Sequence, residues 1–147
     1  MKKDILVAIG NSGRKDDGLG WAFADEITQA GLFDGDIHYR YQLQVEDAEM
    51  LSQAEKVIFV DAFKGQLPGG YLWQKIGPAA NFEFSTHALS PESVLYLTAD
   101  LYDAKPEAWV LLIEGKEWEL AMGLSESAAH HLESAIKFFG KIKSENL

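Results

Sequence analysis

Cysteine is missing from this sequence, and its absence excludes several kinds of site. Without thiols the chain cannot form a disulfide framework, a Cys-based zinc site or a thiol nucleophile. The lack also fits a reducing compartment, and we expect a cytoplasmic protein. With 147 residues the chain can bury a full core without disulfide bonds or a structural metal, so we expect one domain over residues 1–147.

Long apolar stretches and excess positive charge are missing as well. No segment approaches the ~20 apolar residues that span a membrane, so we expect no membrane association. The short apolar run near the start contains Asp4, which is unlike a signal peptide. Lys and Arg number 13 against 23 Asp and Glu, a net charge of −10. Nucleic acid is therefore not an expected partner, because its phosphates would be repelled.

Apolar runs and helical patterns alternate along the chain. The predicted strands are Asp4–Ile9, Asp36–Val45, Val57–Val60 and Ala108–Gly115. The predicted helices are Leu19–Gly31, Glu46–Ala54, Ser90–Ala104 and Leu124–Ile142, with Ser90 and Ser125 as N-caps. The alternation predicts an α/β sandwich, with a mostly parallel sheet covered by helices on both faces. In such sheets, ligands bind beyond the carboxyl ends of the strands.

The segment Ile5–Ile27, ILVAIGNSGRKDDGLGWAFADEI, runs from an apolar strand through a Gly-rich turn into a helix. Phosphate-binding loops share that outline, but they need the pattern G-x-x-x-x-G-K-S/T. Here Lys15 is followed by Asp16 and Asp17, which would repel a phosphate. The dinucleotide pattern G-x-G-x-x-G is absent too. Two carboxylates at the mouth of this turn suit a cation instead.

Two later residues could join these carboxylates. Asp61 ends the next buried strand, and His87 follows a further short apolar segment. If the two buried strands are neighbours, about 5 Å apart, the acidic turn and Asp61 converge. Two carboxylates and one imidazole suit Ni²⁺, Zn²⁺, Mn²⁺ or Fe²⁺ and leave coordination positions open for a substrate.

Each of these residues also has a simpler structural interpretation. One of Asp16 and Asp17 could cap the first helix, and Asp61 could bind turn amides. His87 could be a hydrogen-bonded structural histidine. A serine hydrolase is not favoured, because the G-x-S-x-G elbow is absent, and the metalloprotease helix H-E-x-x-H is absent as well.

Four segments together resemble one known family. VAIGNSGRKDDGLG, KVIFVDAF, STHALS and GLSESAAHHL occur in the order found in the hydrogenase maturation endopeptidases, and the resemblance runs from Ile5 to about Ile136. It implies a three-layer α/β/α sandwich around a five-stranded sheet with one antiparallel edge strand. The candidate for that strand is Asn81–His87.

The resemblance also implies a function. The family removes a C-terminal extension from the large-subunit precursor of [NiFe] hydrogenase after nickel insertion. Matching the motifs residue by residue gives Asp17, Asp61 and His87 as the catalytic and metal-contacting positions. The segments that would approach the substrate contain Gly10, Asn11, Asp16 and Gly18, with Asp16 as a loop residue behind the metal contacts. Nickel would arrive with the precursor, and no organic cofactor is expected.

Two departures and two alternatives accompany this interpretation. The family often has Pro near Gly115 and Gly near Ala121, and the Lys64–Gly70 loop matches only approximately. These differences bear on the substrate more than on the activity. One alternative is a non-catalytic nickel-checking or chaperone-like module for the same precursor. A weaker one is a metallohydrolase with its own resident metal. A monomer is the simplest oligomeric state.

Overall fold

The computed structural model describes residues 2–80 and 89–144. Its strands are β1 (Lys3–Ile9), β2 (Asp36–Arg40), β3 (Ala54–Lys64), β4 (Tyr71–Ile76) and β5 (Glu107–Gly115). Its α-helices are α1 (Leu19–Ala30), α2 (Asp47–Leu51), α3 (Pro91–Tyr102) and α4 (Glu126–Ser144). Two short 3-10 helices occupy Lys15–Gly18 and Pro68–Gly70. The first of these, Lys15–Gly18, is called the acidic turn below.

The sheet has five strands in the order β2-β1-β3-β5-β4. The pairs β1–β2, β1–β3 and β3–β5 are parallel, and β4 is antiparallel to β5. The expected sheet with one antiparallel edge strand is therefore confirmed. The position of that strand was predicted wrongly, since it is Tyr71–Ile76; the proposed segment Asn81–His87 lies outside the described residues.

Aromatic packing explains why β4 forms where the turn-rich sequence gave no clear signal. Trp73 of β4 stacks on Trp109 of β5, with ring centroids 4.8 Å apart and planes 7° from parallel. Phe138 of α4 packs against Trp73 and Tyr71 at 5.9 and 5.1 Å. Such cross-strand and helix contacts are worth about 0.5–1.5 kcal/mol per aromatic pair beyond buried area. They are tertiary contacts, which a local pattern does not reveal.

Two helical layers cover the sheet and build one core on each face. On the first face, α1 and α4 pack over Leu6, Ala8, Ile58, Val60, Leu111 and Ile113. On the second face, α2 and α3 pack over Ile5, Val7, Val57, Phe59 and Ala108. Successive strand residues alternate between these two groups, as the two-residue period of a strand requires. The predicted three-layer arrangement is confirmed.

Most helix boundaries follow their sequence signals. Gly31 ends α1 in the left-handed conformation at φ 65°, and the Ser90 hydroxyl caps α3 by accepting from Ser93 N at 3.1 Å. The strand β2 is shorter than predicted and stops at Arg40. There the Arg40 carbonyl accepts from Gly10 N at 2.9 Å and from Trp21 Nε1 at 3.1 Å. Within the described ranges, no helix is both long and apolar enough to cross a membrane.

Candidate active site

The loop that leads from β1 to the acidic turn begins at Gly10, directly after the last residue of β1. Gly10 has φ +152°, and a Cβ there would lie 2.1 Å from the Asp17 carbonyl oxygen. The chain therefore needs glycine at this position to fold back on itself. Asn11 N donates to that same Asp17 oxygen at 2.9 Å, and Asp17 N donates to Arg14 O at 3.0 Å. The Asp17 backbone is consequently fixed against the end of β1.

Asn11 and Gly18 complete the fold of this turn. The Asn11 side-chain oxygen accepts from Gly13 N at 2.9 Å, the Asx arrangement that stabilises a tight turn. A Cβ on Gly18 would lie 2.9 Å from the Ser12 Cα, so the two chain segments meet closely there. Asn11 and Gly18 therefore shape the turn through the contacts that the structure gives them.

Asp61 lies on β3, partly buried beside the acidic turn. The strand continues to Lys64, so the prediction that it ends at Asp61 was wrong. Its Oδ1 accepts from Ala62 N at 2.8 Å. Burial raises the pKa of Asp61 to about 7, the Ala62 hydrogen bond opposes that rise, and the negative charge of Asp17 adds to it. Asp61 therefore keeps its proton to a higher pH than a free carboxyl group does. The charge effect places Asp17 and Asp61 in the same site.

Asp17 is the second partly buried carboxyl of this site. Burial raises its pKa, while the positive charges of Arg14 and Lys64 lower it, and the net direction is upward. Lys64 is exposed at the end of β3 and lies 5.4 Å above the Trp118 ring. Two adjacent acids with raised pKa values form a site that a bound cation would stabilise, because the cation favours both charged forms.

Asp16 points the other way and is fully buried, with 0% exposure. Its Oδ2 accepts from Lys116 N at 2.7 Å, Glu117 N at 2.8 Å and Ser125 Oγ at 2.7 Å. Its Oδ1 accepts from Ser125 N at 2.7 Å. Burial raises the pKa of Asp16, but the four hydrogen bonds together outweigh burial, and the net pKa is lowered. Asp16 is therefore an ionised internal carboxylate that touches neighbouring loop residues.

His87, the third predicted metal contact, lies outside the described residues. Within residues 2–80 and 89–144, no group of three or more His, Asp or Glu side chains could hold a metal ion. The described part of the candidate site is thus a pair of carboxylates, Asp17 and Asp61, with Arg14 and Lys64 nearby. The role of His87 stays a prediction.

A cleft of about 270 Å³ opens beside Asp61 on the α3 side of the sheet. Apolar side chains from four strands line it, namely Ile9, Phe59, Ile76, Val110 and Leu112. Asp61 and Glu92 supply its acidic part. A larger pocket of about 680 Å³ lies around the start of α4 and does not include Asp17 or Asp61. The smaller cleft is the one that Asp61 lines, and it could hold part of an extended polypeptide.

Comparison with solved structures decides which fold this is. The chain superimposes on the [NiFe] hydrogenase maturation protease HycI from Thermococcus kodakarensis KOD1 with a TM-score of 0.71 at 17% identity, covering 97% of this chain and 93% of that one. It superimposes on an endopeptidase from Escherichia coli with a TM-score of 0.73 at 16% identity, covering 100% and 95%. It superimposes on the hydrogenase maturating endopeptidase HybD from Escherichia coli with a TM-score of 0.66 at 14% identity, covering 99% of this chain and 94% of that one.

The fold is that of the hydrogenase maturation proteases. The similarity covers almost the whole chain, as the resemblance of the motifs predicted. No protein-family model matches the sequence, and no curated protein matches it significantly. The maturation-protease fold is therefore carried here by a divergent sequence.

Sequence patterns left several features of the site unseen. Arg14 and Lys64 lower the pKa of Asp17, but a lone cation in a loop carries no signal of that role. The partners of Asp16 lie 100 to 109 positions later in the chain. Ser125 was predicted as an N-cap, and its hydroxyl does accept from Ala128 N at 3.2 Å. The same hydroxyl donates to Asp16, which only the folded chain reveals.

Proposed function

We propose that this protein is an endopeptidase that removes the C-terminal extension of a nickel-loaded [NiFe]-hydrogenase large-subunit precursor. The observation that carries the proposal is the Asp17–Asp61 pair, in which burial and the neighbouring charge raise the pKa of Asp61 to about 7. Asp61 lies on β3 just beyond its last pairing with β1, and Asp17 lies in the loop that follows β1, on the side of the sheet where open α/β sheets bind ligands. The shared fold of proteins named hydrogenase maturation proteases supports this choice.

In this proposal the nickel ion belongs to the substrate. Asp17, Asp61 and His87 contact the ion that the precursor carries, and its charge releases the proton held near Asp61. The contact fixes the precursor tail against the site, which removes much of the entropic barrier to cleavage. One of the two carboxylates then takes a proton from the attacking water. We further propose that the protein acts in the cytoplasm as a monomer.

The direct test is incubation of the purified protein with nickel-loaded and nickel-free precursor, followed by mass spectrometry of the intact precursor. We expect the nickel-loaded precursor alone to lose its C-terminal extension. Asp17→Asn and His87→Ala should fold normally by circular dichroism and fail to process it. Asp36→Asn is a matched control, because Asp36 is an exposed residue at the start of β2, the opposite end of the sheet.

Three results would contradict the proposal in different ways. Precursor that is bound but never shortened would indicate the non-catalytic nickel-checking module. Stoichiometric metal in the isolated protein, measured by elemental analysis, would indicate a resident metal instead of a substrate-borne one. Normal processing by Asp17→Asn and His87→Ala would remove these residues from the mechanism.

A further inference from the structure

We propose that Asp16 is a positioning residue, whose buried carboxylate ties the acidic turn to the end of β5 and thereby sets Asp17 opposite Asp61. The inference rests on the proposed function, since it assigns Asp17 and Asp61 to the reaction. It adds a residue that would not touch the substrate. Its evidence is the set of contacts around Asp16 and the path by which they reach Asp61.

The contacts of Asp16 form a site for an anion inside the protein. All four donors, three backbone amides and the Ser125 hydroxyl, converge on two oxygens at 2.7–2.8 Å. Asp16 takes part in no ion pair among the described residues, so these four hydrogen-bond donors offset the cost of burying its negative charge. Ser125 directly precedes α4, whose N-terminal end also favours a negative charge. Hydrogen bonds to a charged group contribute about 1.5–3 kcal/mol each, more than neutral ones.

The pairing of β1 with β3 ends before it reaches the acidic turn or Asp61. The pairing of β1 with β3 ends at Ala8 and Val60, and the chain leaves the sheet after Ile9. Beyond that point the acidic turn lies beside β3, but the backbone hydrogen bonds of Asp17 run to Asn11 and Arg14, in the same loop between β1 and α1. A hydrogen-bonded link to a neighbouring strand would hold Asp17 in that place.

Asp16 supplies that link through β5. Its carboxylate holds Lys116 and Glu117, which directly follow β5, and its own N–H donates to Glu117 O at 2.9 Å. The strand β5 pairs with β3 along its length, with Leu112 opposite Asp61. The path from Asp17 through Asp16 and β5 to Asp61 thus consists of covalent bonds and short hydrogen bonds.

The main chain strengthens the same connection at one further point. Lys15 N donates to Ala121 O at 2.8 Å, in the loop that joins β5 to α4. Lys15 has φ 48°, a left-handed conformation that is uncommon for a residue with a side chain. The backbone therefore accepts some strain where the acidic turn meets this loop, which is expected where surrounding contacts fix a functional turn.

The test variant is Asp16→Asn, which keeps the size of the side chain and turns one acceptor into a donor facing N–H groups. Thr98→Val is the matched control, because Thr98 is equally buried at 0% and hydrogen-bonded, on the other face of the sheet. The assay is run below the unfolding temperature of the variant. There we expect Asp16→Asn to lower kcat on the precursor at least 100-fold and to change KM less than about 3-fold. Thr98→Val should lose stability and keep the wild-type kcat.

Amide hydrogen exchange gives a readout that needs no substrate. Asp16→Asn should speed exchange at Lys116, Glu117, Ser125 and Asp17 at least tenfold, and Thr98→Val should not. A wild-type kcat in Asp16→Asn, or an unchanged exchange rate at Asp17, would overturn the positioning role. If the wild-type protein fails to cut the precursor, the proposed function fails, and the exchange rates still decide whether Asp16 holds the turn.

Discussion

Asp16 and Asp61 show, at the scale of single residues, how hydrogen bonds decide the effect of burial on a carboxyl group. Burial raises the pKa of both, because it disfavours the charged form. Asp16 accepts four hydrogen bonds, which favour the anion and lower its net pKa. Asp61 accepts one from Ala62 and faces the charge of Asp17, so its pKa rises to about 7. The two acids are thereby prepared for different tasks.

The raised pKa of Asp61 leads to a prediction about stability and pH. The folded state holds this proton more tightly than the unfolded state, where the pKa is near 3.8, so the contribution of Asp61 to stability falls as pH rises from about 4 to about 7. Asp61→Asn removes that loss. We expect the free energy of unfolding of the variant at pH 8 to be about 1–2 kcal/mol higher than that of the wild type, after discounting for partial exposure of Asp61. Urea denaturation at pH 8 and pH 4.5 measures the difference.

At pH 4.5 the gain should largely vanish, because wild-type Asp61 is then protonated in the folded state. Asp47→Asn serves as a comparison, since Asp47 is buried but bonded to Arg40 Nε at 3.0 Å and to Gln44 N at 2.9 Å. That substitution should destabilise the protein. A stabilisation of Asp61→Asn that is equal at both pH values would show that the proton on Asp61 is not its cause.

Single residues of the site were predictable to different degrees. Asp61 lies on β3 and Asp17 lies in the loop after β1, so the expected pairing of these two strands brings both residues to the same edge of the sheet. Asp16 and Asp17 stand side by side, and no local pattern says which of them turns inward. That choice depends on Ser125 and the residues after β5, about a hundred positions away, which only the folded chain brings close. The resemblance of the motifs separated the two acids where geometry did not.

At the scale of elements, the N-terminus of α4 carries a second prediction. Ser125 caps α4 through Ala128 N and also donates to Asp16 at 2.7 Å, whereas Ser90 caps α3 through Ser93. Loss of a cap costs about 1 kcal/mol. We therefore expect Ser90→Ala to cost about 1 kcal/mol and Ser125→Ala about 2–3 kcal/mol, because the second variant also weakens a bond to a charged group. Urea denaturation at pH 7 gives both values.

The double variant Asp16→Asn with Ser125→Ala tests the cause of the difference. If the shared bond explains the extra cost, the two effects should be non-additive by about 1 kcal/mol or more. Additive effects, or equal costs for Ser90→Ala and Ser125→Ala, would show that the contact with Asp16 contributes little to stability.

Elements were easiest to predict where local chemistry decides them. The buried strands β1, β3 and β5 have continuous apolar runs, and Gly31 and Ser90 mark helix ends by backbone chemistry. The edge strand β4 depends on the stacking of Trp73 on Trp109, a contact between distant segments. The strand β2 was predicted too long, because alternation continues past Arg40 although the chain turns there. Edge strands make fewer contacts, so local patterns specify their ends less well.

At the scale of the whole molecule, the fold tolerates wide sequence change. The three solved structures compared above share 14–17% of residues with this chain, yet their folds superimpose over nearly its full length. Two core clusters explain this tolerance, since each needs apolar residues at the right period more than particular side chains. The glycine at position 10 is different, because a Cβ there would overlap the Asp17 carbonyl. The core side chains can thus be exchanged for other apolar residues, whereas the backbone of the loop at Gly10 requires a glycine.

The net charge of −10 gives the last prediction, which concerns the molecule as a whole. Excess negative charge repels itself more in the compact state than in the unfolded chain, so screening should favour folding. Raising NaCl from 0.02 to 0.2 M shortens the Debye length to below about 10 Å, and we expect the free energy of unfolding at pH 8 to rise by about 0.5 kcal/mol or more. The same addition at pH 5, near the sequence pI of 4.7, should have little effect. Urea denaturation at both pH values measures this, and an equal gain at pH 5 would indicate a general salt effect instead of relief of repulsion.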